Sequence, residues 1–167
     1  LTYSFVATEE SGILPKNILD SYKKICNGII SGLQQLNLQA SFVPLNDIVV
    51  AGKKISGNAQ TRREKAILQH GTVLSEVDVE KMFSILKVPN EKLKGKLIED
   101  VKQRVTSIEQ QLGKKVSFEQ TLSAMKKGFE ENFEVNLKES KPTKEESELA
   151  KKIVEERFAN EQWNFRR

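Results

Sequence analysis

Two neighbouring stretches decide the fold: NDIVVAGKKISGNAQT at residues 46–61 and ILQHGTVL at residues 67–74. Short β-prone runs are broken here by glycines, and apolar residues no longer recur at helical spacing. Residues 48–50 and 54–56 can pair as a hairpin across an Ala51-Gly52 turn. Residues 66–74 supply a longer strand, so this part of the chain is predicted to form the sheet.

The segments before this sheet add a strand and a helix. Residues 2–7, TYSFVA, alternate and are rich in β-formers, which predicts a strand. Pro15 is expected to open a helix, because apolar residues then recur every three or four positions from Ile18 to Leu36. Such a stripe packs on a flat surface. The sequence therefore predicts an α/β fold of the α+β type, a mixed β-sheet flanked by helices.

Helical patterns return after residue 74. One apolar stripe begins at Val79, and a second is expected to be continuous through Leu93, Leu97, Val101, Val105, Ile108 and Leu112. Ser117 with Gln120, and Thr143 with Glu146, form capping boxes that predict two more helix starts. No linker or repeat divides the chain, so residues 1–167 are expected to belong to a single domain.

Composition excludes several classes of protein. A hydrophobic fraction of 38% with 30% charged residues is ordinary for a globular domain. The net charge of +4 combines 27 basic with 23 acidic residues, which is too mixed to indicate nucleic-acid binding. No run approaches the roughly 18 apolar residues of a membrane span. One cysteine and one histidine exclude an intramolecular disulfide and the usual zinc frameworks, and a cytoplasmic location is expected.

The residue types in the hairpin suggest an anion site. Asp47 precedes a strand, Lys54 lies on the returning arm, and the Gly-Asn-Ala run at 57–59 offers backbone N–H groups. A lysine ammonium acts as a point charge for a phosphate or carboxylate oxygen, and Asp47 can hold Mg²⁺ or a ribose hydroxyl. The alternative is a polar hairpin with a glycine turn, which is common in α/β proteins. On spacing alone the ordinary polar hairpin is the favoured interpretation.

The same residues resemble a known family. Asn46-Asp47, then KKISGNAQ at residues 53–60, then His70-Gly71-Thr72 are similar to the signature of the lipoate–protein ligase and octanoyltransferase superfamily, whose fold is shared with biotin–protein ligases. Residues 1–6, 101–108 and 161–165 also resemble family segments, so the similarity spans essentially the whole chain.

The resemblance implies an ATP-dependent ligase. Lipoate is activated by Mg-ATP to lipoyl-AMP, and the acyl group passes to a lysine of an acceptor protein. Lys54 matches the site lysine that contacts the carboxyl group and the α-phosphate, and Asp47 is implied as the metal ligand. Residues implied to border the nucleotide and the acyl chain are Asn46, Asp47, Ser56, Gly57, Ala59, His70, Gly71 and Thr72. For His70 we expect a wall residue rather than a proton shuttle.

The resemblance also implies partners. The acceptors are expected to be lipoyl domains of 2-oxoacid dehydrogenase acyltransferase subunits and the glycine-cleavage H protein, with no nucleic acid or membrane. The family's upstream Arg-Arg-x-Ser-Gly-Gly-Gly segment is not found here, so the catalytic domain is expected to be incomplete at its N-terminus. Activity is then expected only with a segment or second chain that supplies it. A smaller accessory domain is expected to be separate.

Two competing functions remain open. A cysteine-dependent octanoyltransferase moves an acyl group through a thioester without ATP, with its nucleophile near Ser41, where this sequence has no cysteine. Cys26 falls in the apolar stripe of a predicted helix, which is typical of an inert core thiol. The other alternative is a cysteine-independent or inactive transferase-like module that binds lipoate or an acceptor domain.

Overall fold

The chain forms two compact units, which are described separately. The computed structural model describes residues 1–87 and 90–166. The first unit spans Leu1–Asn136 and the second spans Leu137–Arg167. All the residues proposed above for the site belong to the first unit. Among the described residues, no helix combines the length and apolar character needed to cross a membrane.

Five strands of the first unit form one sheet in the order β1-β5-β4-β3-β2. Every ladder between these strands is antiparallel. A single isolated parallel bridge, outside the named strands, joins Lys54 to Val105. The strands are β1 (Thr2–Thr8), β2 (Ala40–Val43), β3 (Asp47–Val50), β4 (Lys53–Arg63) and β5 (Ala66–Val73).

The predicted hairpin is confirmed. Val50 pairs with Lys53 across Ala51 and Gly52, and both turn residues have positive φ, 49° and 74°. Positive φ at both central residues is the geometry whose twist matches that of the flanking strands. The long strand after it is confirmed as well, because β5 pairs along its length with both β4 and β1.

The helices of the first unit are α1 (Ile18–Gln35), α2 (Val79–Ile85), α3 (Glu91–Arg104), α4 (Ile108–Leu112) and α5 (Phe118–Phe133). α1 and α5 pack against each other and cover one face of the sheet. Ile29 and Leu33 of α1 join Ile48, Ile55 and Val73 of the sheet in one buried cluster. Removal of this apolar surface from water is the main force that holds the helices on the sheet.

Two predicted helix boundaries are wrong. α1 begins at Ile18 rather than at Pro15, because the Asn17 side chain accepts a hydrogen bond from the backbone N–H of Asp20 and caps the helix there. The stripe expected from Leu93 to Leu112 is not one helix. Val105 is extended between α3 and α4, and the Ser107 side chain caps α4. The segment between these helices pairs with the sheet instead.

Glycines allow α1 and α5 to approach closely. A methyl group at Gly128 would lie 2.2 Å from the Gly32 backbone nitrogen and 2.3 Å from the Gly28 carbonyl oxygen. A methyl group at Gly28 would meet the Phe129 ring at 2.7 Å.

Both predicted capping boxes are present, at Ser117 for α5 and at Thr143 in the second unit.

The second unit is helical. It contains α6 (Lys144–Ile153), a π-helical turn at Val154–Phe158 and α7 (Glu161–Asn164). Phe158 and Trp163 meet edge to face, with ring centroids 5.6 Å apart. The Arg157 guanidinium lies 3.9 Å from the centroid of the Trp163 ring, close enough for a cation–π contact.

Candidate active site

Five of the predicted site residues share the face of the sheet that α1 and α5 leave uncovered. Asp47 pairs with Gly57, and Gly57 pairs with Thr72. Ala59 pairs with His70 in the next row. Directly paired residues in an antiparallel sheet point to the same side. We call the side that carries these five residues the open face; Ala59, His70 and Thr72 are exposed there.

Lys54 reaches the open face because of a β-bulge. Ile48 pairs with Ser56, but Val49 pairs with Lys54, so Ile55 is an extra residue in β4. In a regular ladder Lys54 would pair with Val50, which points into the core. An extra residue shifts the alternation of side chains in β4 by one position between Ser56 and Lys54, and bulges are frequent beside active sites. Ile55 itself is fully buried.

The Lys54 ammonium is held above the strand by Asp47. Lys54 Nζ lies 2.6 Å from Asp47 Oδ1, with side chains that are 43% and 32% exposed. Gly57 provides the space beneath the amine, because a methyl group there would lie 2.9 Å from Lys54 Cε and 3.1 Å from Nζ. An ion pair this exposed contributes about 0–1 kcal/mol to stability. Its main consequence is therefore the position of the ammonium.

The backbone at Lys54 is fixed from the other side by the segment between α3 and α4. The Thr106 backbone N–H donates to the Lys54 carbonyl oxygen at 2.9 Å, and Val105 bridges Lys54. Leu74 N donates to the Ile55 carbonyl at 3.0 Å. The bulged part of β4 is thus bonded on both edges, which restricts the position of the Lys54 side chain.

The neighbouring lysine has a different environment. Lys53 Nζ donates to the carbonyl oxygen of Lys102 at 3.0 Å. It lines a cleft of about 530 Å³ together with residues of α2 and α3. The two adjacent lysines therefore serve as a natural pair for comparison.

Two of the remaining predicted residues, Ser56 and Gly71, are not brought to the open face. Ser56 is buried, and a methyl group at Gly71 would collide with the Asn58 amide oxygen at 2.2 Å and with the Tyr3 ring at 2.7 Å. The side chain of Ser56 and the Cα hydrogens of Gly71 thus belong to the covered face of the sheet. Asn46 precedes β3, and its amide group donates to the Asn58 carbonyl oxygen.

The Asp47 carboxylate is the predicted ligand of a cation. Asp47 Oδ1 is buried, and within the described residues its charge is compensated by the Lys54 ammonium, with no further hydrogen bond to this oxygen. Mg²⁺ in nucleotide sites typically uses one or two protein carboxylates, several waters and the phosphates of the substrate. Asp47 fits a single-carboxylate role of this kind. Within residues 1–87 and 90–166, no group of three or more His, Cys, Asp or Glu side chains forms a cluster suited to a metal.

The single thiol, Cys26, is not in an environment that favours a nucleophilic thiolate. Cys26 is fully buried in α1, where Gln69 Nε2 lies 3.7 Å from its sulfur. Burial raises the pKa of the Cys26 thiol to about 12, and the Gln69 hydrogen bond offsets only part of this shift. Reactive thiolates need the opposite environment. Ser41 lies on β2, is exposed and pairs with Val49.

Sequence reasoning missed the polar side chains below the site. Tyr3 donates to Asn58 Oδ1 at 2.7 Å, and Gln69 Nε2 donates to the Tyr3 hydroxyl oxygen at 2.8 Å. Asn58 and Gln69 are buried. The alternation of side chains along β5 could have revealed it, since Gln69 falls on the same side of the strand as the apolar residues Ile67 and Val73. A polar residue at a core position marks a hydrogen-bonded network.

Comparisons with known proteins bear on the family and the fold of the chain. The chain is 34% identical to the octanoyltransferase LipM of Brevibacillus brevis, with 100% of the chain and 69% of the relative covered. The bipartite lipoate protein ligase of Thermoplasma acidophilum, described together with its E2 lipoyl domain, superposes with a TM-score of 0.86 at 27% identity. That match covers 98% of this chain and 62% of the ligase chain.

The apo biotin protein ligase of Aquifex aeolicus shares the fold alone, with a TM-score of 0.59 at 17% identity over 80% of this chain and 52% of that one. The expected α+β fold of the biotin and lipoate ligases is therefore confirmed. The family model described as "Lipoyl protein ligase A/B catalytic domain" matches residues 1–130. By the extent of this match and by its relatives, the chain belongs to the lipoyl protein ligase A/B catalytic domain family.

Proposed function

We propose that this chain carries the lysine-bearing part of a lipoate–protein ligase. In the proposed reaction a lipoate carboxylate oxygen attacks the α-phosphorus of ATP, pyrophosphate leaves, and lipoyl-AMP forms. The amine of an acceptor lysine then attacks the lipoyl carbonyl, AMP leaves, and an amide bond remains. The observation that carries this proposal is the Lys54 ammonium, held by Asp47 over Gly57 on the open face.

Lys54 suits both steps. Negative charge lies on the carboxylate and α-phosphate in the first step and grows on the carbonyl and bridging oxygens in the second. A preorganised cation stabilises that charge, and loss of one such group typically costs about 10²–10³ in rate. Asp47 holds the ammonium and is the proposed ligand of Mg²⁺, which when bound neutralises phosphate charge. Gly57, Ala59, His70 and Thr72 form the adjoining surface for nucleotide and acyl chain.

The partners proposed are those that the family implies. Lipoyl domains of 2-oxoacid dehydrogenase acyltransferases and the glycine-cleavage H protein are the proposed acceptors. The Thermoplasma ligase, described with its E2 lipoyl domain, supports the first of these. Its description as bipartite supports an accessory domain that is a separate chain. The residues that complete the pocket are proposed to come from a segment outside residues 1–167 or from a second polypeptide.

Octanoyl transfer is the second candidate, because the relatives that match over the whole chain are named octanoyltransferases. A thioester route needs an accessible thiolate, whereas Cys26 is buried with a raised pKa. Octanoyl transfer that used only residues 1–167 would therefore have to proceed without a cysteine nucleophile. The noncatalytic alternative is an inactive transferase-like module that only binds lipoate or an acceptor domain.

The two candidates differ in the acyl donor. We expect the full-length native protein to catalyse lipoate-dependent exchange between ATP and pyrophosphate and to lipoylate an acceptor domain. We expect no transfer from octanoyl-carrier protein without ATP. Acyl transfer under the second condition, with no exchange under the first, would replace the ligase by the transferase. Binding of lipoate without either reaction would support the inactive module.

A further inference from the structure

A chain of hydrogen-bonded polar side chains crosses the covered face of the sheet and ends beneath the site. It consists of Arg62, Ser21, Gln60, Gln69, Tyr3, Asn58 and Asn46, and we call it the buried polar chain. Its links are 2.9 Å from Arg62 to Ser21, 3.0 Å from Ser21 to Gln60 and 3.0 Å from Gln60 to Gln69. The links to Tyr3 and Asn58 complete the path, and Asn58 Nδ2 donates to the Asn46 carbonyl oxygen at 2.8 Å.

Each central member of this chain uses both its donor and its acceptor. The Tyr3 hydroxyl accepts from Gln69 and donates to Asn58, and Gln69 Oε1 accepts from Gln60. Burial raises the pKa of the Tyr3 hydroxyl, so it keeps the proton that it donates. Buried amides destabilise a core unless all their partners are present, whereas a fully bonded network restricts the position of every member. The orientation of Asn58 is therefore determined.

Asn58 clamps the residue that precedes Asp47. The Asn46 carbonyl accepts from the Asn58 backbone N–H at 3.1 Å and from the Asn58 side chain. The Asn46 side chain donates to the Asn58 carbonyl oxygen in return. Asn58 is also adjacent to Gly57, over which the Lys54 amine lies. One side chain on the covered face thus fixes both pieces of backbone that determine where Lys54 and Asp47 meet.

We propose that Asn58, oriented by Tyr3 and Gln69, is a positioning residue for the Lys54–Asp47 pair on the opposite face of the sheet. Tyr3→Phe removes the hydroxyl through which the buried polar chain reaches Asn58. Asn58→Ala removes the clamp itself. In both variants β3 shifts relative to β4 at Asp47, and the ammonium loses its defined position. The catalytic consequence rests on the proposed ligase function, but the positional consequence does not.

The positional test is the reaction of lysines with an amine-directed acylating reagent, followed by peptide mass spectrometry on the full-length protein. Lys54 must leave Asp47 before it reacts, so we expect its labelling to rise several-fold relative to Lys53 in Asn58→Ala and in Tyr3→Phe. The matched control is Thr121→Val, which removes a buried hydroxyl that donates to Ser117 in α5, outside the buried polar chain. This control is expected to leave the ratio unchanged.

The catalytic test is the rate of lipoate-dependent ATP–pyrophosphate exchange. We expect kcat to fall by about tenfold to a hundredfold in the two variants while the KM values for ATP and lipoate stay constant, because about 1 Å of misplacement suffices for such a loss. Unchanged labelling and unchanged kcat in folded Tyr3→Phe would overturn the inference, even if Asn58→Ala fails to fold. If wild-type protein shows no exchange, the ligase proposal fails, and the labelling ratio still decides the positional role.

Discussion

Substitution of Gly57 by alanine separates the position of Lys54 from the stability of the fold. The new methyl group would lie 2.9 Å from Lys54 Cε and 3.1 Å from Nζ. Carbon atoms in contact prefer about 3.5–4.0 Å, so the end of the lysine side chain must move by roughly 0.5–1 Å. The Gly57 backbone is an ordinary strand with negative φ and accepts a side chain. The lysine terminus is the flexible partner, so the lysine moves and the strand does not.

The expected result is a folded protein with a displaced ammonium. Lipoate-dependent ATP–pyrophosphate exchange is expected to fall by about tenfold to a hundredfold, the usual consequence of misplacing a catalytic group by about 1 Å. The urea midpoint is expected to stay close to the wild-type value. Gly95→Ala is the matched control, because position 95 lies in α3 and a methyl group there meets nothing within 4 Å. Full exchange activity in folded Gly57→Ala would refute the account of how Lys54 is placed.

Two further predictions concern stability. Gly128→Ala is expected to destabilise the protein by about 1–3 kcal/mol in urea unfolding, because its methyl group would press on the Gly32 backbone. Gly95→Ala is expected to stabilise α3 by up to about 1 kcal/mol. Equal effects of the two substitutions on the free energy of unfolding would contradict the close packing of α1 and α5. The folded-state pKa of Cys26, about 12, exceeds the ordinary value of 9.0. The contribution of the buried neutral thiol to the free energy of unfolding is therefore complete below about pH 9 and is lost as the pH rises towards 12. The difference in unfolding free energy between wild type and Cys26→Ala should therefore shrink from pH 8 to pH 11, and a constant difference would count against the buried neutral thiol.

Much of the fold could be predicted from local patterns. Alternation and glycine turns located β1, the β3–β4 hairpin and β5, since a strand with one buried face shows its period in the sequence. Capping boxes located the starts of α5 and α6. The prediction from apolar spacing failed at Val105, because apolar residues continue at intervals near four across a segment that is extended rather than helical. Pairing of that segment with Lys54 is a tertiary contact, and local spacing carries no information about it.

The site was predicted less completely. Family resemblance predicted Lys54 and Asp47 as site residues, and register places Asp47 with Gly57, Ala59, His70 and Thr72 on one face. The bulge at Ile55, which brings Lys54 to the same face, was not predicted, because strict alternation would have put Lys54 on the face of Val50. The buried polar chain was missed for a related reason. Its members are far apart in sequence, and only the register of β1 with β5 brings Tyr3 beside Gln69.

The most direct test compares the two adjacent lysines. Lys54→Ala and Lys53→Ala remove the same side chain one residue apart, but only Lys54 pairs with Asp47 on the open face, whereas Lys53 donates to the Lys102 carbonyl. In the full-length protein, Lys54→Ala is expected to lower lipoate-dependent ATP–pyrophosphate exchange by about 10²–10³, with Lys53→Ala close to wild type. Equal activities of the two variants, or a larger loss in Lys53→Ala, would contradict the assignment of Lys54 as the catalytic cation.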